Sequence, residues 1–377
     1  MSVQTSVKGW CPGAFKPMMS GDGLIVRVRP FHARLDRRQV LGLCDLARTY
    51  GNGFLDLTNR ANLQIRGVSE NGFEPLLSAL NDLELLDAEP QLEARRNILV
   101  SPFWKAGDDT HRIVTDLLDA LTALPDLPAK FGFAIDTGPS PLLQNASADI
   151  RVERSAEGLV VRADGAACGH AVPLDAIVDK IVELAAWFAA ERQLQERRMR
   201  NLLTRVSLPQ RWRTAAPLAP QTQPTPGPHP LGMILGATFG QLDAGALARV
   251  VDTSGARALR VTPWRMFVLE GASALADAHF VSAPDDPLLH ADACPGAPFC
   301  ASASVETRGL ARALARDISR SLHVSGCAKG CARSQPAEVT LVGNAGRFDL
   351  VRQGCAWDAP EKSGLAPDDL LAEVKSH

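Results

Sequence analysis

The alternation of apolar and polar positions predicts the same strand–helix–strand unit twice along the chain. Residues 23–67 contain an apolar strand, an amphipathic helix and a second strand, and residues 231–271 repeat this order. Both units share a Leu-Asp pair at the start of the helix, a strand in which Thr58 or Thr262 is followed by arginine, and a closing glycine. Similarity of this kind within one chain indicates an internal duplication.

A further block of alternating helices and strands follows each unit. In the first half we expect a helix near residues 111–124, strands at 130–136 and 149–154, a hairpin near 158–162, and a long helix from about 174 to 203. In the second half we expect a helix at 305–319 and strands at 337–341 and 347–351. Strands and helices in this order predict an α+β fold.

A proline-rich segment separates the two halves. Residues 216–230 carry six prolines, which remove backbone donors and disfavour both helix and central strand, so an extended linker is predicted. The boundaries of the expected units then fall at residues 15–85, 90–215, 216–230 for the linker, 231–285 and 290–360.

Composition and charge narrow the functional classes. The chain has 377 residues and a net charge of −2, so no overall field attracts nucleic acid or anionic lipid. It has neither an apolar run of 18 residues nor an N-terminus typical of export, so we expect a cytoplasmic protein with no membrane or nucleic-acid partner. Eight cysteines are too sparse for a disulfide scaffold in a chain of this length.

Four of the cysteines form two close pairs. Five residues separate Cys294 from Cys300, and three separate Cys327 from Cys331. Four thiolates suit an iron–sulfur cluster or zinc, but structural zinc prefers pairs two to four residues apart. We therefore predict a [4Fe–4S] cluster on these cysteines, in a redox enzyme. Zinc and buried free cysteines are the alternatives.

The remaining candidates near this chemistry are weaker. We expect Cys44, Cys168 and Cys355 to be packing or surface residues. Cys11 opens the same Cys-Pro-Gly-Ala string as the first cluster cysteine, so it is either coincidental or a second functional thiol. His323, four residues before the second cysteine pair, either packs in the core or contacts the cluster.

A run of basic and amide side chains predicts an anion-binding face. Strand residues alternate faces, so Arg60, Asn62, Gln64 and Arg66 are expected on one face of a strand, with Arg27 and Arg29 in the same position on the preceding strand. Without acidic partners between them, these groups suit a polycarboxylate ligand, which arginine binds bidentately. A solvated sheet face is the alternative. Further basic or amide residues strengthen the first interpretation: Arg95, Arg96, Asn97, Lys105, Lys130 and Arg265.

These motifs together resemble the siroheme sulfite and nitrite reductases over nearly the whole chain. The resemblance rests on the two cysteine pairs, the duplicated unit and the strand from Thr58 to Arg66. It implies two ferredoxin-like half-domains packed with two αβ domains that hold the cluster and a tetrapyrrole. It also implies that Arg60, Gln64 and Arg66 bind tetrapyrrole substituents, and that Arg96 and Lys130 act as the catalytic basic residues facing a small anion.

Two departures favour one branch of this family. Gly132 stands where the reductases usually have a second lysine, and Cys-Ala-Lys-Gly-Cys replaces their usual second pair motif. The chain is also shorter than a typical reductase. Its strings Ser-Gly-Asp-Gly-Leu, Leu-Arg-Val-Thr-Pro-Trp-Arg and His-Val-Ser-Gly-Cys-Ala-Lys-Gly-Cys-Ala resemble the precorrin-3B synthase branch.

That resemblance implies an oxygen-dependent monooxygenase of aerobic cobalamin synthesis. Its expected reaction is hydroxylation of precorrin-3A at C20 with lactone formation. The expected partners are precorrin-3A, dioxygen and an electron donor, either an NADH-linked reductase or a ferredoxin. The resemblance also implies a mononuclear non-haem iron whose ligands the sequence does not assign, and it makes siroheme the less expected cofactor. A siroheme-dependent reductase and a non-catalytic iron–sulfur protein that binds a tetrapyrrole are the alternatives.

Overall fold

The computed structural model describes residues 12–273, 277–318 and 320–375. The first duplicated unit begins the chain. Its elements are strands β1 (Met18–Ser20), β2 (Gly23–Val28) and β3 (Arg34–Asp36), helix α1 (Arg37–Tyr50), strands β4 (Phe54–Leu57) and β5 (Leu63–Val68), and helix α2 (Glu70–Asp82).

The first αβ block follows. Its elements are α3 (Pro90–Arg95), β6 (Ile98–Val100), α4 (Asp109–Asp119), β7 (Phe133–Asp136), β8 (Ile150–Ser155), β9 (Gly158–Ala163), β10 (His170–Val172), α5 (Ile177–Glu191) and α6 (Met199–Leu202).

The second half has the same plan. Its unit contains β11 (Gly227–His229), β12 (Gly232–Gly236), β13 (Gln241–Asp243), α7 (Ala244–Thr253), β14 (Ala258–Val261) and β15 (Met266–Glu270). Its block contains β16 (Ala291–Ala293), α8 (Arg308–Ala315), β17 (Leu322–Ser325), β18 (Ala337–Asn344), β19 (Arg347–Gly354), β20 (Lys362–Leu365) and α9 (Leu370–Lys375).

The repeated Leu-Asp pair starts both long helices of the duplicated units. Asp36 caps α1 by accepting a hydrogen bond from the backbone of Gln39, whose side chain bonds back to the Asp36 backbone. Asp243 caps α7 in the same way, accepting from the backbone of Ala246. Each cap satisfies an N–H group that the helix leaves unpaired, which fixes where the helix begins.

The two half-domains exchange edge strands. One five-stranded sheet has the order β1-β2-β5-β4-β13, and the other has the order β11-β12-β15-β14-β3. Thus β3 of the first half pairs with β14 of the second, and β13 of the second pairs with β4 of the first. Helices α1 and α7 pack together between the sheets. The predicted ferredoxin-like half-domains are therefore confirmed, and they are interlocked.

The two αβ blocks also repeat one another. Strands β6, β7 and β8 are parallel and are continued by antiparallel β9 and β10. Strands β16, β17 and β18 are parallel in the same way and are continued by antiparallel β19 and β20. The duplication therefore extends through the blocks. One large hydrophobic core joins the half-domains to the first block, whereas the second block has a core of its own.

Several element boundaries predicted from the sequence were wrong. The long helix expected at 174–203 is broken, because α5 ends at Glu191 and α6 is a single short turn from Met199. Beyond Phe188 the sequence offers no apolar stripe to bury, and Leu194 is 85% exposed. The helix expected at 305–319 is confined to α8, and that near 111–124 ends at Asp119.

The segment expected as an extended linker is only partly free of the sheets. Residues 227–229 form the edge strand β11, and Pro217 makes an isolated bridge to Ser155. Both ends of the segment are thus attached to sheets. Among the described residues, no helix has the length and apolar character that a membrane span requires.

Candidate functional site

The four predicted cluster cysteines lie beyond the carboxyl ends of two neighbouring parallel strands. Cys294 directly follows β16, and Cys327 lies two residues after the end of β17. The loops that begin there carry Cys300 and Cys331. The carboxyl edge of parallel strands is the place where α/β sheets usually bind ligands, since the loops diverge there and leave room.

The four thiols are close enough for their charges to interact. Burial raises the pKa of the Cys331 thiol, and the charges of Cys327, Cys294 and Cys300 raise it further. The backbone N–H of Gly326 donates to Cys294 Sγ at 3.1 Å. Such N–H···S bonds stabilise a thiolate and tune an iron–sulfur cluster.

The loops around the thiols are tightly packed. A Cβ on Gly326 would lie 2.6 Å from Ala303 Cβ, so only glycine lets the second loop pass there. Lys329 Nζ donates to Ser302 Oγ at 3.1 Å, and Thr307 Oγ1 donates to the carbonyl of Cys294. These bonds join the two loops to each other and to the start of α8.

The donor set fits an iron–sulfur cluster in its chemistry. Four converging soft thiols are the usual ligands of such a cluster. In the described part of the chain, however, no group of three or more His, Cys, Asp or Glu side chains is already arranged to hold a metal ion. The four sulfur atoms therefore lie near one another, but not at the distances from which they would ligate a metal ion. Cys44 and Cys355 are buried, and Cys11 lies outside the described residues.

Arg66 connects the first half-domain to the first cysteine loop. Its guanidinium donates to Asp22 at 3.0 and 3.2 Å, to Ser20 Oγ at 2.9 Å, and to the carbonyl of Phe299 at 3.0 Å. Asp56 lies 3.8 Å away. The expectation that this strand carries no acidic partners was therefore wrong, because Asp22 and Asp56 are supplied by neighbouring strands and turns. The role of Arg66 in ligand binding stays a prediction.

The expected single basic face is also divided. Strand β5 begins only at Leu63, so Arg60 and Asn62 lie in the preceding turn, where Ala61 has a φ of 52°. Arg60 Nη2 donates to the carbonyl of Lys130 at 2.9 Å and to Ser147 Oγ at 3.3 Å. Arg60 thus extends towards the first αβ block.

Gln64 and Arg27 face each other across β5 and β2. When the amide oxygen of Gln64 is turned towards Arg27, it accepts from Arg27 Nη2 at 2.8 Å. These two side chains are part-buried, and they hold the sheet register beside the turn that carries Arg60.

Arg96 and Arg29 meet at the junction of the half-domain with the block. Arg96 makes two bonds of 2.8 Å to Asp87, donates to the carbonyl of Arg29 at 2.7 Å, and stacks 4.0 Å from the ring centre of Phe31. Arg29 donates to the carbonyl of Glu93, but no described group accepts from its buried Nε. Burial lowers the pKa of Arg29 to about 10.

A cavity of about 580 Å³ opens beside Arg29. Its lining combines three cations with aromatic and apolar surface and includes one buried carboxylate, Glu93, which accepts from the backbone of Ala14 and Phe15. The lining residues are Gly13, Phe15, Lys16, Arg29, Pro90, Gln91, Glu93, Ala94, Arg95, Asp126, Leu127, Pro128, Ala129 and Phe131. The exposed Lys130 follows Ala129 directly. This cavity can hold an apolar body that carries acidic groups.

Sequence reasoning missed Lys16 and Glu93 in this cavity, since neither belongs to a motif. Arg265 lies elsewhere, in the turn between β14 and β15, where it pairs with Asp292 and donates to the carbonyl of Ala332. Of the predicted ligand-binding residues, the structure therefore brings Arg29, Arg60, Asn62, Arg96 and Lys130 to one region and places Arg265 beside the cysteine loops.

Comparison with known proteins agrees with this architecture. Residues 16–83 match the family model of the nitrite/sulfite reductase ferredoxin-like half domain. The ferredoxin–nitrite reductase of Synechococcus elongatus is 29% identical over 141 residues, which cover 34% of this chain and 27% of that protein. The structure of the Mycobacterium tuberculosis NirA protein superposes with a TM-score of 0.65 at 17% identity, covering 93% of this chain and 79% of NirA, and so shares the fold.

A longer match covers nearly the whole sequence. The precorrin-3B synthase of a Sinorhizobium species is 34% identical over 401 aligned positions, which cover 95% of this chain and 86% of that protein. Because the identity extends through both half-domains and both blocks, the chain belongs to the precorrin-3B synthase family, a branch of the nitrite/sulfite reductase family.

Proposed function

We propose that this chain is a precorrin-3B synthase, an oxygen-dependent monooxygenase that hydroxylates precorrin-3A at C20 and forms a lactone in cobalamin biosynthesis. The observation that carries the proposal is the 34% identity to a precorrin-3B synthase over 95% of the chain. We place the enzyme in the cytoplasm. The cations and apolar surface of the cavity beside Arg29 support a substrate with an apolar body and several carboxylates, as a metal-free tetrapyrrole would have.

The cavity beside Arg29 suits this substrate. Phe15, Phe131 and Leu127 offer apolar surface for the macrocycle, whereas Lys16, Arg29 and Arg95 offer positive charge for its carboxylates. Arg29 is desolvated, and its Nε has no hydrogen-bond acceptor in the described residues, since the Glu93 carboxylate lies 3.9 Å away. An incoming carboxylate could supply that acceptor. Arg60, Asn62, Gln64, Arg27 and Arg66 do not line this cavity, and they remain proposed substrate-binding residues.

The two proposed catalytic basic residues differ in how freely their side chains can move. Arg96 is held on three sides by Asp87, Phe31 and the backbone of Arg29, so it presents a fixed positive charge. Lys130 is exposed and can move its ammonium group towards the substrate or towards an oxygen-derived anion. We propose that these residues position the substrate carboxylates and stabilise negative charge during oxygen insertion.

Gly132 argues against a siroheme-dependent reductase. A Cβ at this position would lie 2.9 Å from the carbonyl oxygen of Asn97 and 3.6 Å from Arg60 Nη1. The Gly132 N–H also donates to Asp149 Oδ2 at 3.0 Å, which fixes the backbone there. The local packing therefore leaves no room for the second lysine that the reductases carry, and siroheme remains the less favoured cofactor.

We propose that Cys294, Cys300, Cys327 and Cys331 hold a [4Fe–4S] cluster, which when bound supplies single electrons. The electron donor would be an NADH-linked reductase or a ferredoxin. A mononuclear non-haem iron is harder to place, because the described residues contain no ready set of three His, Cys, Asp or Glu ligands for it.

The test is turnover by anaerobically purified protein. We expect four irons and four sulfides per chain, no strong siroheme absorption, and incorporation of one atom of ¹⁸O from dioxygen into precorrin-3A. Strong siroheme absorption together with reduction of sulfite or nitrite would refute the proposal in favour of a reductase. A loaded cluster with no oxygen-dependent consumption of precorrin-3A would instead indicate a non-catalytic tetrapyrrole-binding protein.

A further inference from the structure

A second cavity lies on the other half of the molecule, beside the cysteine loops. Its volume is about 310 Å³, and Arg265, Asp292 and Arg333 form its charged wall. The rest of its lining is mainly apolar and includes Thr238, Phe239, Trp264, Leu288 and Leu289.

The positive charge of this wall exceeds its negative charge. Arg265 and Arg333 both pair with the single carboxylate of Asp292, Arg333 at 2.9 Å. Burial lowers the pKa of Arg265 to about 10, and the charges of Arg308, whose own partner is Asp56 at 3.4 Å, and of Arg333 lower it further. Two guanidiniums and one carboxylate leave one net positive charge in a part-buried place, where an oxygen anion would be stabilised.

A buried polar side chain lies beside this wall. His323 stands next to Asp292 in the parallel pairing of β16 and β17, so both side chains lie on the same face of the sheet. His323 is fully buried, and in the described structure neither ring nitrogen has a hydrogen-bond partner. A donor or acceptor left unpaired at full burial is costly, but His323 does not line the cavity, so the inferred site rests on the residues of the charged wall.

The duplication relates this cavity to the basic region of the first half. Phe239 and His32 occupy matching short turns with φ of 58° and 54°. Arg265 and Ala61 occupy matching turns between paired strands, with φ of 57° and 52°. The second cavity is thus built by the same part of the fold that carries Asn62 and Arg96 in the first half, but it uses different cations.

We infer that the cavity formed by Arg265, Asp292 and Arg333 is a second binding site, separate from the tetrapyrrole cavity, for a small free anion with two negative charges and oxygen donors. A phosphate or a short dicarboxylate has this chemistry. The site adjoins both cysteine loops, because Asp292 is two residues before Cys294 and Arg333 is two residues after Cys331.

The experiment is calorimetric titration of the full-length, cluster-loaded protein with inorganic phosphate and, separately, with succinate, in a buffer without other oxyanions. Arg333→Met should weaken binding at least about tenfold, which corresponds to about 1.4 kcal/mol. Leu289→Glu places a repelling carboxylate in the wall without removing an existing ion pair, and it should weaken binding similarly. The anion that binds more tightly shows whether the site prefers a phosphate or a short dicarboxylate.

Two matched variants serve as controls. Arg347→Met removes an exposed arginine of β19, and Arg95→Met removes a cation of the first cavity. Both should leave anion affinity within about twofold of the unmodified protein, and iron content and thermal melting should confirm that each variant is folded. The inference is overturned if neither anion binds, if Arg333→Met and Leu289→Glu both leave affinity unchanged, or if Arg95→Met weakens binding as much as Arg333→Met.

Discussion

Replacing Arg66 by methionine provides the sharpest test of how the cysteine loop is held. The Arg66 and Asp22 side chains are only 8% and 9% exposed and lie 3.0 Å apart. Without Arg66, the Asp22 carboxylate keeps, among side chains of the described residues, the hydrogen bond from Asn52 at 3.2 Å, and the carbonyl of Phe299 loses a charged donor. Removing one partner of a buried ion pair costs about 3–5 kcal/mol.

We therefore expect Arg66→Met to lower the free energy of unfolding by about 3–5 kcal/mol in guanidinium titrations. It should also lower the iron content, because Phe299 directly precedes Cys300. The matched control is Arg48→Met, since Arg48 and Asp45 are 59% and 72% exposed and such pairs contribute about 0–1 kcal/mol. A loss below 1 kcal/mol for Arg66→Met with full iron content would refute the structural role and favour a role in ligand binding alone.

Three further variants test other parts of the site. Cys327→Ser should abolish iron and sulfide incorporation, and retention of both would contradict the proposed ligand set. Burial lowers the pKa of His323 to about 4, so the native state loses stability as pH falls below about 6.5, by about 2 kcal/mol at pH 5. Urea titrations at pH 7 and pH 5 should show that His323→Leu removes this loss of stability between the two pH values. An unchanged loss in the variant would contradict the prediction. Gly132→Ala should destabilise by about 1–3 kcal/mol in the same assay because its Cβ meets Asn97, whereas Gly138→Ala, whose Cβ would meet no atom closer than 3.9 Å, should not.

The sequence predicted the fold best where the pattern is local. The duplicated unit and the helices that begin at the two Leu-Asp pairs depend on residues close together in the chain, and both are found as expected. The exchange of edge strands could not be predicted, because the alternation of Leu35 and its neighbours indicates a strand but not the sheet that it joins. Its partner strand β14 begins more than two hundred residues later.

The basic residues were harder to interpret for the same reason. Arg66 was assigned to an open anion-binding face because no acidic residue occurs beside it in the sequence. Asp22, which neutralises it, comes from a turn 44 residues earlier. Counting charges along one strand cannot show partners from another strand. Arg96 is a similar case. Asp87 comes before helix α3 and Arg96 comes after it, yet the Arg96 guanidinium donates two bonds to the Asp87 carboxylate.

The duplication explains why the proposed activity needs both halves of the chain. The Cys294 N–H donates to the carbonyl of Val324, and the Ser101 N–H donates to that of Ile135 in the matching place of the first block. One copy of the fold thus carries the Cys294 thiol at this position, where the other carries the Ser101 hydroxyl. The strand exchange fixes the two copies together, and Arg66 joins a strand of the first half to the cysteine loop of the second. The proposed polycarboxylate cavity and the proposed cluster site can therefore diverge in separate copies that the exchanged strands keep joined.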